Sequence, residues 1–206
     1  MNKEAIKGVV FDWGGVLIDD PEPAMNAYCA LTMGVSVEDF DEARRKYNLD
    51  IQRGSISAIK FLSNISNDLN VANPKNISSL WYESFKNAYA PKKEMFTLIS
   101  NLKRRGYKIG FLSNTEAPAV KFFREQKYER LFDATVFSCV EGIAKPDKMI
   151  YDILLQKIQL AAHEAIFIDD KQLYVEAAIN RGMHGILFEN PRQVKQALHS
   201  LAVKGV

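Results

Sequence analysis

A doubly wound α/β fold, with a parallel sheet between helices and a small helical unit inserted after the first strand, is what the sequence predicts. Three observations carry it. Five short runs, at residues 9–11, 109–112, 135–137, 166–168 and 185–188, are continuously apolar rather than alternating, the pattern of strands buried on both faces. From about residue 92 onward, turn residues and helical stretches alternate regularly with those runs, which argues for a doubly wound sheet. Between Asp19 and Ala90 the sequence offers only amphipathic helical segments and no strand, so a helical excursion separates the first strand from the rest.

Each element has a local reason. Val9-Val10-Phe11 runs straight into Asp12, ending the first strand on a polar residue. Ser36-Val-Glu-Asp39 reads as a capping box entering a helix. Residues 57–69 place Ile59, Phe61, Leu62, Ile65 and Leu69 at nearly helical spacing, and residues 77–89 do the same through Leu80, Trp81, Phe85 and Ala88. A helix over 92–105 closes with Gly106, and another over 172–181 closes with Gly182, where a left-handed C-cap favours glycine. The expected division is a core of residues 1–17 and 91–206 with a helical cap over 18–90.

Composition excludes several classes. The 206 residues are 47% hydrophobic and 25% charged, with Lys+Arg 27 against Asp+Glu 25 and a net charge of +2. Disordered and fibrous chains differ from this, and so balanced a charge does not recommend nucleic acid or an anionic membrane as partner. No apolar run approaches the roughly 18 residues of a membrane helix, and the first residues carry no signal-peptide core. Two cysteines, Cys29 and Cys139, build no disulfide framework. The expectation is a cytoplasmic protein without nucleic-acid or membrane partners, its oligomeric state, monomer or homodimer, left open.

Four polar clusters follow apolar runs: Asp12, Ser113-Asn114-Thr115, Lys145-Pro146-Asp147 and Asp169-Asp170. The carboxyl ends of parallel strands share one edge of a sheet, so these groups can converge across much of the chain. Three carboxylates together repel and rise in pKa unless a cation joins them. Hard oxygen donors with open positions suit Mg²⁺, which accepts a substrate phosphate. A lysine neutralises both a carboxylate and an incoming phosphate, and an aspartate can attack phosphorus. Phosphoryl transfer is therefore chemistry this combination can perform. Read singly, each cluster has an ordinary role as a turn, a cap or a helix-start acid. Only the ordered combination favours a site.

That combination, Phe-Asp-Trp-Gly-Gly-Val-Leu (11–17), Leu-Ser-Asn-Thr (112–115), Lys-Pro-Asp (145–147) and Phe-Ile-Asp-Asp (167–170), resembles the haloacid dehalogenase superfamily, in order, spacing and strand context, over nearly the whole chain. Within it the chain is similar to members with a helical cap, near glucose-1-phosphatase and the phosphatase domain of soluble epoxide hydrolase. The resemblance implies a Mg²⁺-dependent phosphatase acting on a small phosphorylated metabolite such as a sugar phosphate. It implies Asp12 as nucleophile and metal ligand, Ser113 and Asn114 on the phosphate, Lys145 steadying both, Asp170 and the carbonyl of Gly14 as metal ligands, and Asp169 nearby or acting through water.

Three departures stand out. Gly14 occupies the position where phosphatases of the superfamily usually carry an acid, and a positioned acid is worth about 10²–10⁴-fold. Asp19, Asp20, a cap residue or a water would have to replace it, or the leaving group would have to need little help. Tyr174 stands where an Asn is usual, with modest consequences expected, and Ala119 where many sugar phosphatases have His. The rivals are a dehalogenase, disfavoured by the retained Asp169-Asp170 pair, a phosphonate hydrolase using a cap lysine (Lys46, Lys60, Lys75 or Lys86), and a phosphate-ester binding protein that has lost turnover at Gly14.

Overall fold

The computed structural model describes residues 5–205. In chain order the elements are β1 (Gly8–Phe11), α1 (Glu22–Met33), α2 (Val37–Arg45), α3 (Asn48–Gln52), α4 (Ala58–Asp68), α5 (Ile77–Ala88), α6 (Lys93–Arg104), β2 (Lys108–Ser113), α7 (Ala117–Glu125), β3 (Ala134–Phe137), α8 (Ser138–Glu141), α9 (Lys148–Ile158), β4 (Ala165–Asp169), α10 (Gln172–Asn180), β5 (His184–Leu187) and α11 (Pro191–Ser200). All five strands expected from the apolar runs are present, in one all-parallel sheet of order β3-β2-β1-β4-β5.

Alternation along each strand sorts its side chains between two cores. Val9, Phe11, Ile109, Phe111, Ile166 and Ile168 face one apolar cluster. Val10, Leu112, Ala165 and Phe167 face the other, with Ile150, Tyr151 and Leu154 of α9 and Ala178 of α10. Both faces are covered, which is why the runs read as continuously apolar. The central strand β1 is where the order reverses, and the crevice at the carboxyl end of such a strand is where open α/β sheets bind ligands.

Helices α1 to α5 form the insertion, and their termini follow from local chemistry. The Ser36 hydroxyl accepts from the Asp39 N–H at 3.0 Å, and Ser57 caps α4 by accepting from the Lys60 N–H at 3.2 Å, each cap worth about 1 kcal/mol. The capping box at Ser36 is half formed: the Asp39 carboxylate takes the Ser36 hydroxyl, 2.7 Å away, rather than a backbone N–H. Of the apolar set on α4, Phe61, Leu62 and Ile65 are buried, whereas Ile59 is exposed.

The chain passes between sheet and insertion through a narrow neck. Ile18 and Pro91 bridge antiparallel, the Asp19 N–H donates to the Ala90 carbonyl at 2.9 Å, and the Lys92 N–H donates to the Leu17 carbonyl at 2.9 Å. Beside this neck, Trp13 packs against Phe85 of α5 at a ring distance of 5.1 Å and against Phe111 and Phe123 of the sheet side at 5.7 and 5.2 Å. The insertion thus shares the apolar cluster of one sheet face rather than owning a separate core. Among the described residues, no helix is long and apolar enough to cross a membrane.

Candidate active site

The register of the sheet assembles the site. Phe11 lies level with Phe111 on β2 and with Ile168 on β4, so Asp12 and Asp169 leave the sheet side by side. The Asp12 N–H donates to the Ile168 carbonyl at 3.0 Å, extending the ladder by one residue. Ser113 ends β2 and is buried.

Lys145 comes from the loop after α8 and is drawn between the two carboxylates. Its Nζ lies 2.9 Å from Asp12 Oδ1 and 2.6 Å from Asp169 Oδ2, and donates to the Leu112 carbonyl at 3.3 Å. Side-chain exposure is 0% for Lys145 and Asp169 and 9% for Asp12. Burial opposes the charge on Lys145, but Asp12 and Asp169 outweigh it and hold the ammonium above its ordinary pKa. Burial pushes Asp12 up to about 6, with Lys145 opposing and Asp169 reinforcing the rise.

Asn114, expected on the phosphate, has both ends of its amide on the peptide of Lys145: Oδ1 accepts from the Lys145 N–H at 2.8 Å and Nδ2 donates to the Lys145 carbonyl at 2.9 Å. It positions the lysine, and its amide does not stand free for a ligand. Ser138 pins the same loop by accepting from the Thr115 N–H at 2.8 Å. Tyr174, expected to matter little, belongs to the site: its ring lies 4.9 Å from Lys145 Nζ, and its hydroxyl accepts from Asn114 Nδ2 at 3.3 Å.

Asp12, Asp169 and Asp170 bring carboxylate oxygens within 4.8 Å of one another. Asp169 is engaged on both oxygens, by Lys145 and by the Lys171 N–H at 2.8 Å. Asp170 differs. Its Oδ1 is buried with no hydrogen-bond partner, and burial, then the Asp12 charge, raises its pKa. An orphaned oxygen beside a second carboxylate fits a hard cation. Gly15 permits this arrangement: at φ +79° a Cβ there would lie 2.3 Å from Asp170 Oδ2. Among the described residues no other group of three or more His, Cys, Asp or Glu side chains is arranged to hold a metal.

A cavity of about 90 Å³ opens over these groups, with Asp12, Gly14, Ser113, Lys145 and Asp170 on the sheet side and Met25, Arg44, Gln52, Trp81 and Phe85 from the insertion. Glu116 and Lys171, which sequence reasoning passed over, also line it. Of the suggested replacement acids, Asp20 lines the cavity as an exposed residue and accepts from the Glu22 N–H at 3.1 Å. Asp19 is exposed, paired with Lys92 and absent from the lining. None of Lys46, Lys60, Lys75 and Lys86 lines the cavity, so a Schiff-base lysine is not supplied by the insertion. Burial pushes the thiols of Cys29 and Cys139 up to about 12 and about 11, which leaves them unreactive at neutral pH.

Residues 6–182 match the family described as haloacid dehalogenase-like hydrolase. The chain belongs to this family. It is 28% identical over 186 residues to a sesquiterpene phosphatase of Aspergillus oryzae, covering 87% of this chain and 88% of that one. It is 25% identical to a D-ribitol-5-phosphate phosphatase of Bacteroides thetaiotaomicron, covering 94% and 97%. Among solved structures it superposes on a Bacteroides thetaiotaomicron enzyme of the family in complex with magnesium and inorganic phosphate, with a TM-score of 0.71, 24% identity and coverage of 90% and 95%. That likeness establishes the fold, and membership of the family makes the chain a hydrolase.

Proposed function

We propose that the protein hydrolyses a small phosphate monoester, with Mg²⁺, through a phosphoryl group carried on Asp12. The observation that carries this is the buried Asp12–Lys145–Asp169 array with the unpartnered Asp170 oxygen beside it. Asp12, Asp170 and the Gly14 carbonyl would hold the ion, with Asp169 behind them. When bound, Mg²⁺ offsets the repulsion between carboxylates and phosphate.

In the first step a carboxylate oxygen of Asp12 attacks phosphorus, and the bond from phosphorus to the ester oxygen breaks. The alcohol leaves with a proton taken from water. In the second step water attacks phosphorus, inorganic phosphate departs and the carboxylate is restored. Lys145 keeps the Asp12 carboxylate ionised in a buried place and neutralises the arriving phosphate. The Ser113 hydroxyl is available to the phosphate oxygens. The insertion acts as a cap that excludes water around the attack.

Gly14 supplies no acid, so the first step depends on how well the alcohol leaves unaided. The two phosphatase relatives, named for a terpenoid and for a pentitol phosphate, support phosphate-ester chemistry and disagree about the ester. The test is phosphate release with and without Mg²⁺ on acetyl phosphate and on alkyl and polyol phosphates, with Asp12→Asn as control. Mg²⁺-dependent turnover lost in the variant is expected. Turnover that survives Asp12→Asn sinks the assignment of the nucleophile.

A further inference from the structure

The departing alcohol needs a proton, and Gly14 has no side chain to give one. A cap that keeps water out makes solvent a poor source. The groups lining the cavity narrow the choice. Asp12 and Asp170 serve as nucleophile and metal ligand, and Lys145 is closed in by its two carboxylates. Arg44 does not give up its proton. Burial works against the charge on Lys171, but Tyr174, Asp170 and Asp12 outweigh it and keep the ammonium protonated. Tyr174 lies over Lys145, on the side of the nucleophile. Asp20 is exposed and accepts from the Glu22 N–H at 3.1 Å, and Glu22 pairs with Arg44. Glu116 remains.

Its placement suits the task. It follows Ser113 by three residues, which keeps it within about 11 Å of the phosphate-binding end of β2. The loop is fixed, because the Ser138 hydroxyl accepts from the Thr115 N–H at 2.8 Å and donates to the Thr115 carbonyl at 3.2 Å. The charges acting on Glu116 are Arg44 and Glu22 of the insertion, so it stands with that wall rather than with the Asp12–Lys145–Asp169 array. Attacking and leaving oxygens lie roughly in line on phosphorus, so the ester oxygen points away from Asp12. In a cavity of about 90 Å³, at roughly 10–15 Å³ per water-sized site, that oxygen has little room before it meets the wall.

We propose that Glu116 is the proton donor to the departing alcohol, standing in for the acid that Gly14 lacks. The proposal rests on the phosphate-monoester reading above and puts a protein group in place of the water in its first step. As the bond from phosphorus to the ester oxygen breaks, the electron pair goes to that oxygen. The Glu116 proton follows it, and the alcohol leaves neutral. Glu116, now a carboxylate, takes a proton back from the water that attacks the phosphorylated Asp12. Burial raises the Glu116 carboxyl to about 7, opposed by its own backbone N–H, by Arg44 and by Trp81. Much of it therefore holds a proton at neutral pH, where such a donor works best. The charge left behind also has partners waiting. Arg44 Nε and Trp81 Nε1 are buried N–H groups without a hydrogen-bond acceptor. An ionised Glu116 beside them offers the acceptor they lack, which stabilises the product of the proton transfer.

Acetyl phosphate and ethyl phosphate test this. They are close in shape, but one departs as acetate, which needs no proton, and the other as ethanol, which does. With Mg²⁺ the wild-type protein is expected to hydrolyse both. Glu116→Gln keeps the shape and removes the acid. It is expected to lower kcat on ethyl phosphate by about 10²–10⁴-fold and on acetyl phosphate by less than about tenfold. The groups facing Glu116 are Arg44, Glu22 and Trp81 of the insertion and the Cys139 thiol of α8, which burial pushes up to about 11. The wild-type rate on ethyl phosphate is expected to fall as pH rises through about 7, a limb that the variant lacks. Equal losses on both esters would mark a structural role and overturn the proposal, as would a variant that keeps the wild-type rate on ethyl phosphate. A wild-type protein that hydrolyses acetyl phosphate and leaves ethyl phosphate untouched overturns it too, while the role of Asp12 stands. Failure of the underlying reading looks different: acetyl phosphate is then not hydrolysed, or its hydrolysis survives Asp12→Asn, and the proposal falls with that reading.

Discussion

The sheet wall of the cavity and the insertion wall hold their charges in different ways. On the sheet wall, Lys145 Nζ is closed in by Asp12 at 2.9 Å, Asp169 at 2.6 Å and the Leu112 carbonyl at 3.3 Å, and its own peptide is clamped by Asn114. On the insertion wall, Arg44 is neutralised at Nη2 while Nε keeps a free buried hydrogen, as does the Trp81 indole. One wall is satisfied except where a cation fits. The other keeps buried donors without a protein acceptor in hydrogen-bond geometry.

Four substitutions put this contrast between the walls at risk. The largest effect belongs to Asp12→Asn, which removes the nucleophile and should lower phosphate release by at least about 10⁴-fold. A small effect would end the distinction between the walls.

Lys145→Met comes next. It leaves two buried carboxylates without their cation, at a cost of about 3–5 kcal/mol in urea unfolding near neutral pH. Lys145 is what opposes the rise of Asp12 to about 6, so its loss lifts that carboxyl further, and acidification that protonates it should recover part of the loss. A loss that does not shrink at low pH refutes the coupling.

Gly15→Ala is local. Its Cβ would press on Asp170 Oδ2 from a backbone at φ +79°, so half-saturation by Mg²⁺ should rise by about 10–100-fold. An unchanged Mg²⁺ titration removes Asp170 from the metal.

The smallest effect is on folding, at Glu116 in the loop after β2. Glu116 has its folded pKa raised from 4.5 to about 7 by burial. Its protonated form favours the folded state, so this stabilisation is complete below about 4.5 and is lost as pH rises through 7. Glu116→Gln should therefore melt about 2–4 °C higher than wild type at pH 8 and match it near pH 4. Parallel melting curves across that range would show that Glu116 is not desolvated in the folded protein.

How much of this was legible varied by residue. Asp12, Ser113 and Asp169 end or follow apolar runs, so a linear reading found them, and Lys145 came with its Pro-Asp neighbours. Arg44 and Arg45 look alike in sequence as part of a basic run, yet one side chain is 5% exposed and its neighbour 75%. Adjacent residues on a helix point about 100° apart, and which one turns inward depends on the packing of α2, not on the run. Glu116 was passed over, and Tyr174 read as a minor substitution. Only the fold brings Tyr174 onto Lys145 and Asn114, and Gly15 against Asp170.

Short-range pattern was enough for the parallel sheet and for placing Asp12, Ser113 and Asp169 at one edge of it. A strand buried on both faces is continuously apolar, and the polar residue at its end must emerge at the shared carboxyl edge. Three features needed the folded chain: that Asn114 serves the lysine, that Asp170 keeps a free oxygen, and that Arg44, Trp81 and Glu116 line the same cavity as Asp12. The first two depend on how the loops after β2, α8 and β4 meet, and the third on the rotation of α2 and α5 in the insertion. That rotation is set by long-range packing, which no local spacing encodes.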